Sequence, residues 1–530
     1  MRGMRKVLVS DPISKKGLSI LRKTKGIEVD VKTQLPPEEL RHTVKNCHGL
    51  IVRSATKVTA DIIEAAPELM VIGRAGIGLD NVDVKSATKR GIVVMNAPEG
   101  NVITTAEHTI SMMLALSRNI PQATAFMKRG LWEKKRFQGR EIFNKTLGIV
   151  GLGRIGKVVA DRAKGLKMNV IGYDPYISPE VIQKLGVELV SLDELYKRAD
   201  FITIHTPKTK ETVGLIGQKA FKKMKKGVKI IHCARGGIVD EKALYEAIVE
   251  GKVGGAALDV FEKEPPKDNP LLKLDNVICT PHLGASTAEA QENVAVNIAK
   301  QVIDYLLHGV IRNAVNVPSV SNEVMSQLSP YLVLAERLGS FHTQMAKGGI
   351  QKVSIEYIGD VAELDSTPIT ISLLKGLLTP ILKEVVNFVN APLIAKERGI
   401  RITESKSSTA SDFTNLITIH VKTTEEENTI SGTIFGKKEP RIVCINSFRL
   451  EAAPEGYMLL IQNIDRPGVI GAIGVTLGKH RINIARMQVG QEMERGRNII
   501  LLTTDIPVSK RVLNEILDLP HVVSALPLEL

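Results

Sequence analysis

TLGIVGLGRIGKVVADRAKGLKMNVIGYD (146–174) reads as strand, glycine turn, helix, strand. The apolar run LGIV ends in a turn where Gly151, Gly153 and Gly156 keep the spacing G-x-G-x-x-G. The first glycine allows the tight turn, the second lets backbone approach a pyrophosphate, and the third lets helix pack closely on strand. The helix that follows offers its free N–H groups and the positive end of its dipole to phosphates. A second strand, NVIGYD, ends in Asp174. An acid there can accept from both ribose hydroxyls and would repel a 2′-phosphate, so NAD is expected over NADP. Glycine turns are common, and an Asp before Pro175 is by itself an ordinary turn residue. The strand before, the helix after and the acid in place make the combination specific.

At 530 residues the chain is too long for one core, and three or four domains are expected. A hydrophobic share of 43% with 24% charged residues is ordinary for a globular protein in water. No apolar run reaches the roughly 18 residues of a membrane span. The opening MRGMRKVLVS passes straight into a strand rather than a signal peptide. Cys47, Cys233, Cys279 and Cys444 show no CxxC or other metal spacing. A reducing cytoplasm is expected, without disulfides or a metal. The net charge of +14 is spread along the whole length with no Arg-rich tail. It argues for a lysine-rich solvated surface rather than a nucleic-acid face.

Outward from the fingerprint, RKVLVSD, GIEVDVK, GLIVRS, LMVIGRA and GIVVMN are strands separated by helical stretches, which implies a first parallel sheet. In such sheets ligands sit beyond the carboxyl ends of strands. Arg53, Ser54, Arg74, Gly76 and Asn101 follow the apolar runs and are candidates there. Residues 104–130 have helical periodicity, with a Thr as plausible cap, and would cross to the fingerprint unit. DFITIHTP, GVKIIHCARGG, GGAALDVF and NVICTPHLGAS supply that unit's further strands, and 286–309 is a helix returning to the first unit. The expected domains are 1–98 plus 284–316, 99–283, 317–452 and 453–530. The third holds VSIEYIG, NLITIHV, TISGTIFG and RIVCINSFRLE as strands, with no catalytic cluster. The fourth runs βαββαβ, the split ferredoxin-like topology.

Arg235, Glu264 and His282 lie at consecutive polar ends of strands in the fingerprint unit. Hydride transfer to NAD needs a base for the hydroxyl proton, and His can take it near neutral pH. A carboxylate beside the imidazole fixes its tautomer and stabilises the imidazolium, the role given to Glu264. A guanidinium clamps a substrate carboxylate bidentately, the role given to Arg235. Each residue alone has a bland explanation: a structural loop His, a solvated Glu, a capping Arg. Their joint position on loops downstream of the fingerprint favours catalysis.

VGLGRIG, the Tyr173-Asp174-Pro175 turn, HTP, CARGGIVDE, ALDVFEKEPP and TPHLGAST together resemble the D-2-hydroxyacid dehydrogenase family. RSATKVT, GRAGIGLDNVD and NAPEGN narrow the resemblance to members acting on 3-phospho-D-glycerate. DRPGV at Asp465 and INIA at 482–485 are similar to an ACT regulatory domain, and 317–452 to the intervening domain of the long members. The resemblance implies an α/β fold of two Rossmann-like units with a cleft, then an α/β intervening domain and an ACT domain. It implies NAD-dependent oxidation of 3-phospho-D-glycerate to 3-phosphooxypyruvate, the first step of phosphorylated L-serine biosynthesis, with Arg235, Glu264 and His282 as the active site. It further implies Arg154 and Ile155 against the pyrophosphate, and Thr206, Cys233, Ala234, Asp259, Gly284 and Ala285 along the cofactor, with Asp259 toward the carboxamide. Arg53, Arg74, Gly76 and Asn101 would meet the phosphorylated substrate, with Arg136 supplied by a neighbouring subunit. One departure is Ile77, where some relatives carry a hydroxyl residue. In the last domain Asn463, Asp465 and Asn483 would hold L-serine as effector, and a homodimer or homotetramer is expected. The alternatives are a glyoxylate or hydroxypyruvate reductase of the same family, or a non-enzymatic NADH-sensing scaffold on this fold.

Overall fold

A computed structural model describes residues 4–98, 100–178, 182, 184–318, 322–382, 386–409, 413–436, 438–491 and 496–530; Glu99 of NAPEGN lies outside them. The short apolar runs near the amino terminus form a five-stranded parallel sheet in the order Ile27–Val31, Arg5–Val9, Gly49–Val52, Val71–Arg74, Val93–Asn96. Both faces are covered, which is why these strands are continuous apolar runs rather than alternating ones. On one face lies the helix Ala288–His308, far away in sequence. Its Ile298 and Val302 are fully buried and pack where Gly73 leaves room; a Cβ on Gly73 would meet both at 2.8 Å.

The fingerprint opens a seven-stranded parallel sheet in the order Val277–Cys279, Val253–Leu258, Val228–His232, Phe201–Ile204, Thr146–Val150, Asn169–Tyr173, Glu188–Leu189. The strand order reverses beside Thr146–Val150, so a crevice opens at that strand's carboxyl end. The stretch 104–130, expected as one helix, is two: Val102–Arg118 and Ile120–Lys128. Asn119 between them sits at φ 53, a left-handed conformation that Asn tolerates, and Pro121 in the first turn after it has no N–H to continue the ladder. The cap is Asn101, which makes no side-chain cap bond, and not a Thr.

Beyond residue 322 a mixed six-stranded sheet has the order Arg401–Ser407, Ile350–Gly359, Asn415–Thr423, Glu427–Phe435, Glu439–Ile445, Phe448–Ala452. Arg401–Ser407 carries no apolar alternation and was invisible as a strand. It is a mostly exposed edge held by parallel pairing to Ile350–Gly359. RIVCINSFRLE is a hairpin rather than one run, turning at Asn446 with φ 52. The helices Asn322–Met345 and Thr367–Leu378 pack on this sheet through Leu334, Leu338, Leu373 and Leu377. The carboxyl-terminal unit is an antiparallel sheet in the order Ile484–Gln491, Arg497–Thr504, Tyr457–Ile464, Val522–Glu529. With the helices Val469–Lys479 and Lys510–Leu517 it runs βαββαβ, as the sequence indicated.

Three histidines are built into these cores. Burial pushes His205 down to about 3, helped by neighbouring His232. Burial likewise lowers His232 to about 4 and His342 to about 4, against weaker opposing contacts from the Arg235 carbonyl and from Asn428 and Glu426. The unfolded chain protonates such groups near 6.5, so between pH 6.5 and 4 it binds protons the folded chain does not. Stability is therefore full above that window and falls as pH drops through it. Thermal unfolding followed by circular dichroism should show the midpoint falling through this range, with a shallower fall in His342→Phe; a midpoint constant to pH 4 would refute neutral burial.

Candidate active site

The glycines of the fingerprint serve three distinct ends. Gly151 sits at φ 95, and a Cβ there would lie 2.8 Å from the His205 carbonyl oxygen. Gly153 is the N-terminal boundary of the helix Arg154–Gly165, has no side chain to cap it, and has open space where a Cβ would be. Gly156 has the Gly151 carbonyl oxygen 2.1 Å from its would-be Cβ, so only glycine lets the helix approach the strand. The Asp174 carboxylate accepts from the Leu152 N–H at 2.9 Å and the Tyr176 N–H at 2.9 Å, stitching the end of the second strand to the turn.

Beside this turn lies a cavity of about 400 Å³ whose wall includes Ile155, Thr206, Cys233, Ala234, Arg235, Asp259, His282, Gly284 and Ala285. Ile77 lines it too. An uncapped helix terminus, the open approach at Gly153 and the buried, unpartnered Thr206 hydroxyl fit a dinucleotide pyrophosphate in this crevice. Burial keeps the Cys233 thiol protonated, its pKa pushed up to about 12 with nearby Asp259 adding to the effect. Cys233 is thus a wall, not a nucleophile.

A second cavity, of about 720 Å³, adjoins the first and is lined by Arg53, Arg74, Gly76, Asn101, Glu264 and again His282. Arg74, Asn101, His282 and Ala285 border both spaces. The Asn101 Oδ1 is buried and has no hydrogen-bond partner among the described residues. Burial, with Arg235 nearby, pulls Arg74 down to about 10, so it stays charged at neutral pH. Several guanidinium groups crowded together favour a multiply charged anion. Arg53 is fixed through its backbone: its N–H donates to buried Asp11 at 2.5 Å.

His282 adopts φ 56, and its Nδ1 lies 2.8 Å from Glu264 Oε2. Glu264 in turn accepts from the Phe261 N–H at 3.1 Å through its other oxygen. The pair leaves imidazole Nε2 for the cleft. Arg235 reaches across from the second unit to Asp80 of the first, Nε to Oδ2 3.4 Å, and a Cβ on Gly78 would meet its Nη2 at 2.4 Å. The Asp259 carboxylate accepts from Thr280 at 2.6 Å and from the N–H groups of Leu283 and Gly284 at 2.7 and 2.8 Å. Burial would raise its pKa, yet these bonds and one from His108 outweigh burial and hold it below the usual carboxylate range.

Arg136 lines neither cavity. It sits in the turn Lys134–Phe137, over the Phe126 ring at 4.5 Å and 3.4 Å from Asp275. Within one chain it is apart from the other candidates. Asp11, Asp80, Thr105 and His108 were not legible as site residues in sequence. The available signal was the polar spacing 101, 105, 108, running from the N-cap into the helix Val102–Arg118.

Gly156→Ala should keep the fold of the other units yet weaken NADH binding at least tenfold in a fluorescence titration, since the methyl collides with backbone rather than a side chain. Unchanged affinity would remove the turn from the cofactor site.

Residues 110–284 match the family described as D-isomer specific 2-hydroxyacid dehydrogenase, NAD binding domain. Residues 327–446 match the D-3-phosphoglycerate dehydrogenase intervening domain, and 457–521 match the ACT domain. The chain is 48% identical to the D-3-phosphoglycerate dehydrogenase of Methanocaldococcus jannaschii, covering 98% of both chains. It is 47% identical to that of Archaeoglobus fulgidus, over 99% of this chain and 100% of the other. Among solved structures, a D-lactate dehydrogenase from Aquifex aeolicus complexed with NAD and lactic acid aligns at TM-score 0.52 and 29% identity, over 59% of this chain and all (100%) of that one. With three matched domains in order and near-complete coverage by such relatives, the chain belongs to the D-3-phosphoglycerate dehydrogenase family.

Proposed function

We propose that the chain oxidises the C2 hydroxyl of 3-phospho-D-glycerate with NAD, giving 3-phosphooxypyruvate, and that Arg235, Glu264 and His282 carry the reaction. The observation that carries this is the His282–Glu264 pair at 2.8 Å, set where the two cavities meet. The carboxylate fixes the Nδ1–H tautomer, leaving Nε2 to take the hydroxyl proton, and stabilises the imidazolium that results. Bound NAD supplies the hydride acceptor. Arg235 grips the C1 carboxylate and polarises the developing carbonyl oxygen. Arg53 and Arg74 take the phosphate, with Asn101 beside them. Gly151, Gly153, Arg154, Ile155 and Gly156 receive the pyrophosphate, Asp174 the adenosine ribose. Thr206, Cys233, Ala234, Gly284 and Ala285 line the remainder. The proposed units are 1–98 plus 284–316 for substrate and 99–283 for NAD, followed by 317–452 and 453–530, with Asn101, Gly284 and Ala285 at the seam between the first two.

The working form is a homo-oligomer in the cytoplasm. Trp132 (80% exposed), Met127 (53%) and Ile120 (52%) crowd the segment that carries Arg136. An apolar surface of that kind is ordinarily covered by a partner, for which we propose a second copy of the chain, with its Arg136 as the residue it would supply.

In the ACT unit, Asn463 is 2% exposed and leaves its Oδ1 without a partner, opposite Asn498 on the neighbouring strand. Asp465 follows on the turn beyond it, its N–H on the Gly496 carbonyl, while Asn483 sits at the opposite end of the sheet with its N–H on Asp505. Asn463 and Asp465 thus support an amino-acid effector site to which Asn483 would come from a second copy, with the pathway end product L-serine as ligand.

NADH oxidation with 3-phosphooxypyruvate tests the main reading. His282→Gln should lose about three orders of magnitude in kcat while still binding NADH. Arg74→Ala should raise KM for the phosphorylated substrate about tenfold or more, with little effect on unphosphorylated hydroxypyruvate. Turnover retained by the His282 variant, or no preference for the phosphate ester, would defeat it. Calorimetric titration with L-serine should give saturable binding that Asn463→Leu abolishes; no heat from the parent chain would end the effector assignment.

A further inference from the structure

We infer that His108 is a positioning residue of this active site: through Asp259 it sets the loop 280–284 that presents His282 to the cleft. The inference rests on the reading of His282 as the base.

The helix Val102–Arg118 carries the chain from the first unit into the second, and one of its faces is polar. Asn101 at its start borders both cavities. One turn on, Thr105 Oγ1 donates to the Gly284 carbonyl oxygen at 3.0 Å in a fully buried bond. The next residue on that face is His108, whose Nε2 lies 3.2 Å from both Asp259 Oδ1 and Thr280 Oγ1. The three positions follow the i, i+4, i+7 rule, so they present side chains to a single neighbouring loop.

The proton inventory fixes what His108 does there. Thr280 gives its only hydroxyl proton to Asp259 Oδ1 at 2.6 Å. Toward His108 both oxygens are therefore acceptors, and Nε2 must carry hydrogen. Asp259 is 1% exposed and holds the loop at several points: Thr280 Oγ1, Leu283 N–H and Gly284 N–H on its carboxylate, and the His282 N–H on its own carbonyl at 3.0 Å. A buried carboxylate keeps such a grip only while it is ionised and well supplied with donors. Two further titratable groups near it, His232 and Cys233, make no hydrogen bond to it among the described residues. His232 turns Nε2 to the Arg235 carbonyl at 2.9 Å, and Cys233 is kept a neutral thiol by burial. His108 is the donor that comes from outside the loop, on the element that connects the two halves of the cleft.

The loop needs such an anchor because His282 occupies a left-handed backbone conformation at φ 56, which a histidine does not adopt by preference. Loosened, residues 280–284 would let the imidazole drift from Glu264 while the arginines of the first unit stay in place. The effect belongs to the chemical step rather than to substrate binding.

The test compares full-length His108→Leu, His108→Gln, Thr105→Val and His282→Gln with the parent in steady-state kinetics, NADH fluorescence titration and thermal unfolding. His108→Leu should lower kcat about tenfold with substrate KM within about twofold, as expected for a displaced catalytic group. The acid limb of its kcat–pH profile should move to higher pH, because Asp259 loses a donor that favours its ionised form. His108→Gln, whose amide Nε2 reaches the same acceptors, should stay within about threefold of the parent. Thr105→Val should lower kcat in the same direction, which keeps the idea testable if the leucine variant does not fold. Parental kcat and pH profile in His108→Leu would overturn the inference, as would His108→Gln falling as far as the leucine variant. The two failures separate cleanly. If His282→Gln is inactive and His108→Leu is normal, only the positioning role is lost. If His282→Gln turns over normally, the base assignment itself is wrong.

Discussion

The carboxylate of Asp259, 1% exposed at the end of the strand Val253–Leu258, takes hydrogen bonds from Thr280, Leu283, Gly284 and His108. Burying an ion without such partners is strongly unfavourable, so the loop 280–284 has little freedom to fold elsewhere. His282 rides on that loop, and the Glu264 that orients it hangs from the Phe261 N–H a short distance along the same strand connection. Both members of the pair are thus fixed by backbone that leaves one sheet, which lets a partly exposed pair keep its geometry without being strong in itself.

The cleft is built by division between two sheets. The fingerprint sheet brings the glycine turn, Arg235 and His282; the first sheet brings Arg53 and Arg74. The Arg235–Asp80 contact and the space at Gly78 mark where they touch. Because the helix Ala288–His308 returns to the first sheet and packs against Gly73, that half is closed by residues from opposite ends of the catalytic core. Crowded guanidinium groups repel one another, and Arg235 adds to the burial that lowers the pKa of Arg74. A multiply charged anion placed among them would offset that repulsion.

The carboxyl-terminal half is joined to its neighbours by apolar packing and by hydrogen bonds such as those between Gln344 and the Glu529 backbone at 2.8 and 2.9 Å. Met458, Ile499, Leu501 and Leu528 of the ACT sheet belong to the same core as Leu338 and Phe341 of the long helix Asn322–Met345. A change in the ACT sheet is therefore felt first by the six-stranded sheet and its helices. Asn387 bonding to Gly91 at 2.9 Å shows that unit touching the first sheet in turn.

Much of this was legible in the chain. The fingerprint glycines, the apolar runs of the parallel strands, the βαββαβ order of the tail and the polar residues beyond the strands are all local signals, set by backbone sterics and periodicity. Short-range chemistry also tells why the single helix expected over 104–130 breaks, since Asn119 and Pro121 are both in the sequence. Other features are set by distant partners. The polar strand Arg401–Ser407 exists because Ile350–Gly359 offers it an edge. Asp11, Asp80 and His108 acquire meaning only when folding sets them against Arg53, Arg235 and Asp259. The sequence determined which side chains are available and which elements carry them. Tertiary structure alone decided which of them meet, because hydrogen bonds and ion pairs depend on distances that loops and sheet order impose.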